Sequence, residues 1–291
     1  MPKQKLIARF INAWIVVVVV SATAVAQSDV SIRIMKAEDE RRWDTDLKQL
    51  LASPDAAIRK RAALAAGRIG DEDSVAALTG LLQDKDTDVR AMAAFAIGEV
   101  EAASGADPLL PILKNTNEPL IVRARAIEAL GKIAGVLPKE QEARRLALGA
   151  AIIEALKHET ATSDRLTAIL GLTAALRSRP ANAGPTIAKF LSHPDARVRA
   201  DAGNTLARLR LNDGNDHLRK LLDTDTDPIV RANAGVVAPL GDAPVPFEEL
   251  MSPSGNDHFY DTRPKILIRA FASAPSVRSR YSKTRALSTR C

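Results

Sequence analysis

The chain has 291 residues, a formal net charge of +6, 3% aromatic residues and a single cysteine, Cys291, at its last position. One cysteine excludes an internal disulfide and a cysteine-rich metal site, and few aromatics with abundant alanine suit close helix stacking better than a deep globular core. The charge is uneven: residues 1–26 carry three basic residues and no acid, residues 262–291 carry eight and no acid, and residues 27–261 sum to −5, so the basic balance gives no specific nucleic-acid signal on a folded face.

Residues 1–26 read as a secretory signal peptide. Lys3, Lys5 and Arg9 precede the apolar run Ile11–Val20, and Ala24-Val25-Ala26 offers a small-x-small cleavage site. This predicts a periplasmic or secreted protein. The alternative is an inner-membrane anchor over residues 11–26, a stretch interrupted by Asn12, Ser21 and Thr23 and short against the roughly 20 residues of a spanning helix. Membrane contact is expected only if that segment stays uncleaved.

Residues 36–242 repeat a unit of about 32 residues, and a period of this size marks a stacked solenoid. Arg59, Arg90, Arg123, Arg199 and Arg231 are separated by 31, 33, 76 and 32 residues. Arg165 is taken to mark a degraded copy inside the long gap, splitting it into 42 and 34. Each marked helix follows a partner helix. The expected first helices are Asp39–Leu51, Asp73–Leu82, Pro108–Lys114, Glu140–Lys157, Ala183–Leu191 and Asn215–Leu222; the second helices begin after Ser53, Asp84, Asn117, Ser163, His193 and Asp225. The expected fold is all-α: an alpha-alpha superhelix of about six antiparallel helix pairs.

Within a unit, with the arginine as position zero, the residue before it is apolar, alanine follows at plus three and an apolar residue at plus seven, as in Val89, Ala93 and Ile97. Ile69, Val100, Ile133 and Leu209 add an apolar residue at plus ten. These spacings put one apolar stripe on each helix. Gly67, Gly98, Gly131 and Ala207 fill plus eight, where a small residue admits a close neighbour. Asp55, Asp86, Asp195 and Asp227 precede the arginine by four and read as N-caps, each worth about 1 kcal/mol. The third copy has Asn117-Glu118-Pro119 instead.

The recurring Asp55, Asp86, Asp195 and Asp227 with Arg59, Arg90, Arg123, Arg199 and Arg231 read as a structural ladder of caps and inter-repeat contacts. An active site needs one set of residues, not five copies. The alternative is that some of these arginines bind an acidic partner. Pro239 breaks the final helix, and Gly241, Pro244 and Pro246 follow, so the solenoid is expected to stop near residue 242. Residues 243–291 read as an irregular or disordered basic tail, with an aberrant gene end replacing a further domain as the alternative.

The stretches DAAIRKRAALAAGRIG from Asp55, DTDVRAMAAFAIGEV from Asp86 and DPIVRANAG from Asp227 resemble HEAT repeats, especially those of phycobilisome-lyase-like HEAT proteins. The resemblance implies a HEAT-like solenoid and protein binding; it does not carry lyase chemistry with it. The stretch from Ile34 to Leu82 also resembles the HEAT region that precedes a cyclophilin-type peptidyl-prolyl isomerase domain in exported bacterial proteins. Only 49 residues follow Asp242, too few for the roughly 160 that the family implies for that domain.

No catalytic constellation stands out, and no catalytic residue, metal or cofactor is assigned. His158-Glu159 is the only His-Glu pair, whereas HEAT-like iron hydroxylases use several. His193 and His217 are expected at the solvated surface. The leading expectation is a monomeric, non-catalytic exported scaffold that binds a protein partner or an unfolded client on a concave face formed by the second helices. Helical phase places Lys60, Arg61, Arg125, Glu128, Asp201 and Asn204 there. The alternatives are the HEAT arm of a cyclophilin-type isomerase without its catalytic domain, and a bilin lyase-like subunit.

Overall fold

The computed structural model describes residues 29–158 and 164–237, and among these every regular element is helical. After α1 (residues 29–39), six antiparallel pairs follow in chain order: α2 (Thr45–Leu51) with α3 (Ala56–Ile69), α4 (Val75–Leu81) with α5 (Thr87–Val100), α6 (Ala106–Lys114) with α7 (Leu120–Val136), α8 (Glu142–Lys157) with α9 (Arg165–Ser178), α10 (Gly184–Ala188) with α11 (Ala196–Leu209), and α12 (Asn215–Thr224) with α13 (Pro228–Val237). The architecture is an all-α solenoid. The expectations for residues 1–26 and 243–291 lie outside the described residues.

Two first helices differ from their sequence-based bounds. The expected helix Asp39–Leu51 is interrupted: Arg41 has a left-handed φ of 48°, and Asp44 then caps α2 by accepting from the Leu47 amide at 2.9 Å. The expected helix Ala183–Leu191 is short, α10 passing into a 3₁₀ turn over Lys189–Ser192. Helix α1 lies largely ahead of the expected solenoid start at residue 36, and its Ile34 and Ala37 join the core.

Each pair buries one stripe against its neighbours. Ala62, Ala93, Ala126 and Ala202 are wholly buried at plus three, as are Ile97, Leu130 and Leu206 at plus seven. Leu78, Leu109, Ile152, Ile187 and Leu218 close the core from the first helices. Burying one such leucine or isoleucine is worth about 1.5–3 kcal/mol. A single pair leaves half of this surface open, so each repeat needs the next.

Glycines at plus eight fix the register between repeats. A Cβ on Gly67 would sit 2.8 Å from the Ala96 Cα, one on Gly98 2.6 Å from the Ala129 Cα, and one on Gly131 2.5 Å from the Ala174 Cα. In the first two contacts the plus-eight glycine meets the plus-six alanine of the next helix. Applied to the third, that rule puts position zero of α9 at Ala168, not at Arg165. Asp164 confirms the assignment, since it lies four residues earlier and caps the helix by accepting from the Thr167 amide at 2.9 Å. The fourth repeat therefore keeps its cap and lacks its arginine, and the long gap divides into 45 and 31.

Second helices stack in direct succession from α3 to α13, while the first helices meet one another over much shorter stretches. Elements held close on one side and apart on the other curve the stack. The second-helix side is thus the inner side.

Candidate interaction surface

The ladder residues lie at the turns between paired helices. Asp55 accepts from the Ala57 amide, Asp86 from Asp88 and Val89, Asp195 from Arg197 and Val198, and Asp227 from Ile229 and Val230, at 2.8–3.2 Å. These bonds satisfy amides that the first helical turn leaves without partners. Pro119 makes no such side-chain cap in the third repeat.

Arg59, Arg90 and Arg199 each join two turns, and Arg231 holds its own. Arg59 donates from Nη1 to the Ser53 and Pro54 carbonyls of its own turn, and from Nε and Nη2 to both oxygens of Asp84 in the next, at 2.6 and 2.8 Å. Arg199 repeats this with the His193 and Pro194 carbonyls and with Asp225, at 2.8 and 2.9 Å. Arg90 holds the Asp84 carbonyl and Glu118. Arg231 holds the Asp225 and Thr226 carbonyls. Arg123 departs from the pattern: its Nε is buried without a partner. Hydrogen bonds from Arg59 hold the Asp84 carboxyl below the usual aspartate range, and those from Arg199 do the same for Asp225.

The acids of these pairs, Asp84, Glu118 and Asp225, were not singled out in the sequence. For Asp84 and Asp225 the signal is the spacing two residues before the cap, which Glu118, next to Pro119, does not share: Ser53, Asp84, His193 and Asp225 precede Asp55, Asp86, Asp195 and Asp227 and accept their backbone amides at 2.9–3.2 Å. His193 takes this place after the repeat that lacks its arginine. It is 3% exposed, which corrects the expectation of a solvated side chain. An aspartate there would be buried without an arginine at position zero, because Arg165 crosses this boundary to Asp195 instead, at 2.8 Å; the His193 imidazole accepts the Asp195 amide through Nδ1.

Lys60, Arg61, Arg125, Glu128, Asp201 and Asn204 all lie half-exposed on the second helices. Lys60 pairs with Asp88 at 2.8 Å, Arg61 with Glu38, Arg125 with Glu128 at 2.7 Å, and Asp201 with Arg197. Burial works to raise the Glu128 carboxyl, but hydrogen bonds from Lys132 and Arg125 bring it below its ordinary value. The structure gathers Lys60 and Arg125 with Asp88, Met92, Phe95 and Ile121 around an open hollow of about 300 Å³. Arg125 and Lys132 stand 5.1 and 4.5 Å from the centre of the Phe95 ring, a cation–π arrangement that keeps an aromatic face at a polar surface. Arg61 belongs to a separate cluster, where it shares Glu38 with Arg68, and Asp201 and Asn204 lie further along on α11. The candidates thus fall at three places along the inner side.

Stacked helix pairs with glycine contacts between second helices and an arginine–acid ladder between turns define a helical-repeat solenoid protein. The family profile described as HEAT repeats matches residues 40–89, 80–146 and 149–237, and the chain belongs to that family. No curated protein matches the sequence. Among solved structures, an engineered protein from a structural genomics consortium is similar in fold: 24% identical, TM-score 0.52, covering 66% of this chain and 93% of its own. Human deoxyhypusine hydroxylase in complex with glycerol is 20% identical over 71% of this chain and 88% of its own, with a TM-score of 0.32, too low to bear on the fold. The matches carry the repeat family and no lyase or isomerase link.

Proposed function

We propose that the chain is a non-catalytic scaffold that binds a protein partner along the inner, second-helix side, outside the cytoplasm. The observation that carries this reading is the composition of that side. Half-exposed Met92, Phe95 and Ile121 and exposed Leu166 and Ile229 alternate along it with charged Lys60, Arg125, Glu128 and Arg197. Apolar anchors among paired charges suit a protein surface, where aromatics and arginine supply most of the binding energy. Support for the location comes from the basic, apolar and small-residue order of residues 1–26.

The test uses the 291-residue protein as bait in an extract of its own cell envelope, with captured proteins identified by mass spectrometry. One stoichiometric partner, released when Lys60→Glu and Arg125→Glu are combined at unchanged helicity, is the expected result. Undiminished capture by that variant defeats the proposed surface. A broad set of weakly held unfolded proteins would make the chain a client-holding arm instead.

A further inference from the structure

Arg177 lies in the last turn of α9 and Arg179 caps it; Arg208 lies in the last turn of α11 and Arg210 caps that helix. Arg179 and Arg210 have φ of 48° and 57°. This left-handed position falls eleven residues after position zero. Gly70 fills it in the first repeat and Glu101 in the second. Glycine enters the region freely, whereas a side chain with a Cβ is strained there. Two consecutive repeats therefore retain a long cation where glycine would relax the backbone, and strain kept in this way points toward a site.

A cleft of about 550 Å³ runs between these helix ends, lined by Arg179, Arg208 and Arg210 with Pro180, Leu209 and Leu211. Among the described residues, five arginine side chains make neither a hydrogen bond nor an ion pair, and four of them belong to Arg177, Arg179, Arg208 and Arg210. Elsewhere exposed guanidinium groups find carboxylates: Arg68 reaches Glu38, Arg197 reaches Asp201, and Arg219 reaches Asp216. A helix C-terminus favours a nearby cation, but that attraction is partial and local. It leaves the three guanidinium groups that line the cleft without a carboxylate partner.

We propose that this arginine cleft binds a short acidic segment of a protein partner. Guanidinium groups match carboxylates through paired, charge-assisted hydrogen bonds, and Pro180, Leu209 and Leu211 offer apolar wall for the stems of Asp or Glu side chains. The inference rests on the scaffold reading and gives the partner a chemistry. A long nucleic acid fits less well, because residues 27–261 sum to −5 and a polyanion leaving the cleft would cross surface of its own sign.

The test is fluorescence anisotropy of the full chain with a short labelled Glu/Asp peptide, a Gln/Asn peptide of the same length, and a single-stranded oligonucleotide of matched charge. The triple variant Arg179→Gly, Arg208→Ala, Arg210→Gly is expected to bind the acidic peptide at least about tenfold more weakly while melting no lower, since glycine relaxes two strained positions. Equal affinity in both forms, no acidic-peptide binding by the unaltered chain, or a greater loss for the oligonucleotide than for the peptide overturns the proposal. The combined Lys60→Glu and Arg125→Glu variant separates the two readings: it should keep full peptide affinity. If it loses its captured partner while the unaltered chain never bound the peptide, only the acidic-cleft inference falls. If the cleft variant loses the peptide but no protein is captured by any form, the scaffold reading falls.

Discussion

Arg199 reaches across a repeat boundary to Asp225, placing Nε and Nη2 on the two carboxylate oxygens while Nη1 holds the turn that begins its own helix. The Asp225 side chain is 3% exposed and that of Arg199 15%. One side chain thereby fixes both the entry of α11 and the seat of the next pair.

Removing one member of this pair leaves the other charge buried. Asp225→Leu, which also removes the acceptor of the Asp227 amide, is expected to cost about 3 kcal/mol, and Arg199→Met a little less because Arg199 keeps some solvent contact. The double variant should cost less than the sum of the two. Urea titrations followed by circular dichroism measure all three. Additive losses would show that the two residues act independently.

Asp84 and Asp225 are both held below the ordinary aspartate range by their arginines. Their contribution is therefore complete above the unfolded aspartate value of about 3.9 and is lost as pH falls through the lower folded value. Asp84→Asn can keep the oxygen that accepts the Asp86 amide, while it removes the charge and sets an NH2 donor in place of the oxygen that accepts from the Arg59 Nε. The stability difference between the unaltered chain and this variant should be constant at neutral pH and shrink below about pH 4. Urea midpoints from pH 7 to pH 2 check it.

Gly98→Ala would place a methyl group 2.6 Å from the Ala129 Cα, a backbone atom that cannot swing aside. The expected net cost is about 1–3 kcal/mol despite the better helix propensity of alanine. A Cβ on Gly80, in α4, meets nothing within 4 Å. Gly80→Ala should therefore be neutral or stabilise by up to about 1 kcal/mol. Thermal melts of the two variants should move in opposite directions.

Ala168 and His193 occupy the places of one missing ladder pair. His193→Asp alone is expected to destabilise by about 1–3 kcal/mol, because a carboxylate would be buried without an arginine at position zero, Arg165 being held by Asp195. Adding Ala168→Arg should recover most of that loss. A double variant as unstable as the worse single one would show that the fourth boundary has repacked beyond restoring the ladder.

The repeat period, the helix pairs, the capping aspartates and the glycines at plus eight are legible in the sequence because each obeys a local rule. Helical phase, first-turn amides and small-residue spacing act within about ten residues of chain. Even the break after α1 has a local sign, the Asp44 cap, hidden within a run that reads as helical throughout. Features that arise from contacts between repeats are not legible in this way. Arg165 looks like the position-zero arginine of the fourth copy, whereas the Gly131–Ala174 approach sets the register at Ala168 and Arg165 reaches Asp195 from three residues earlier. Asp84, Glu118 and Asp225 become arginine partners only once neighbouring turns are brought together. His193 looks like a surface residue beside a helix start until the adjoining repeats cover it. The arginine cleft likewise gathers two helix ends that lie about thirty residues apart in the chain. By itself the sequence determines what each helix pair is, because backbone and side-chain preferences are local. Only the tertiary structure decides which residues meet, because the distance between two turns is set by how closely the helices beneath them pack.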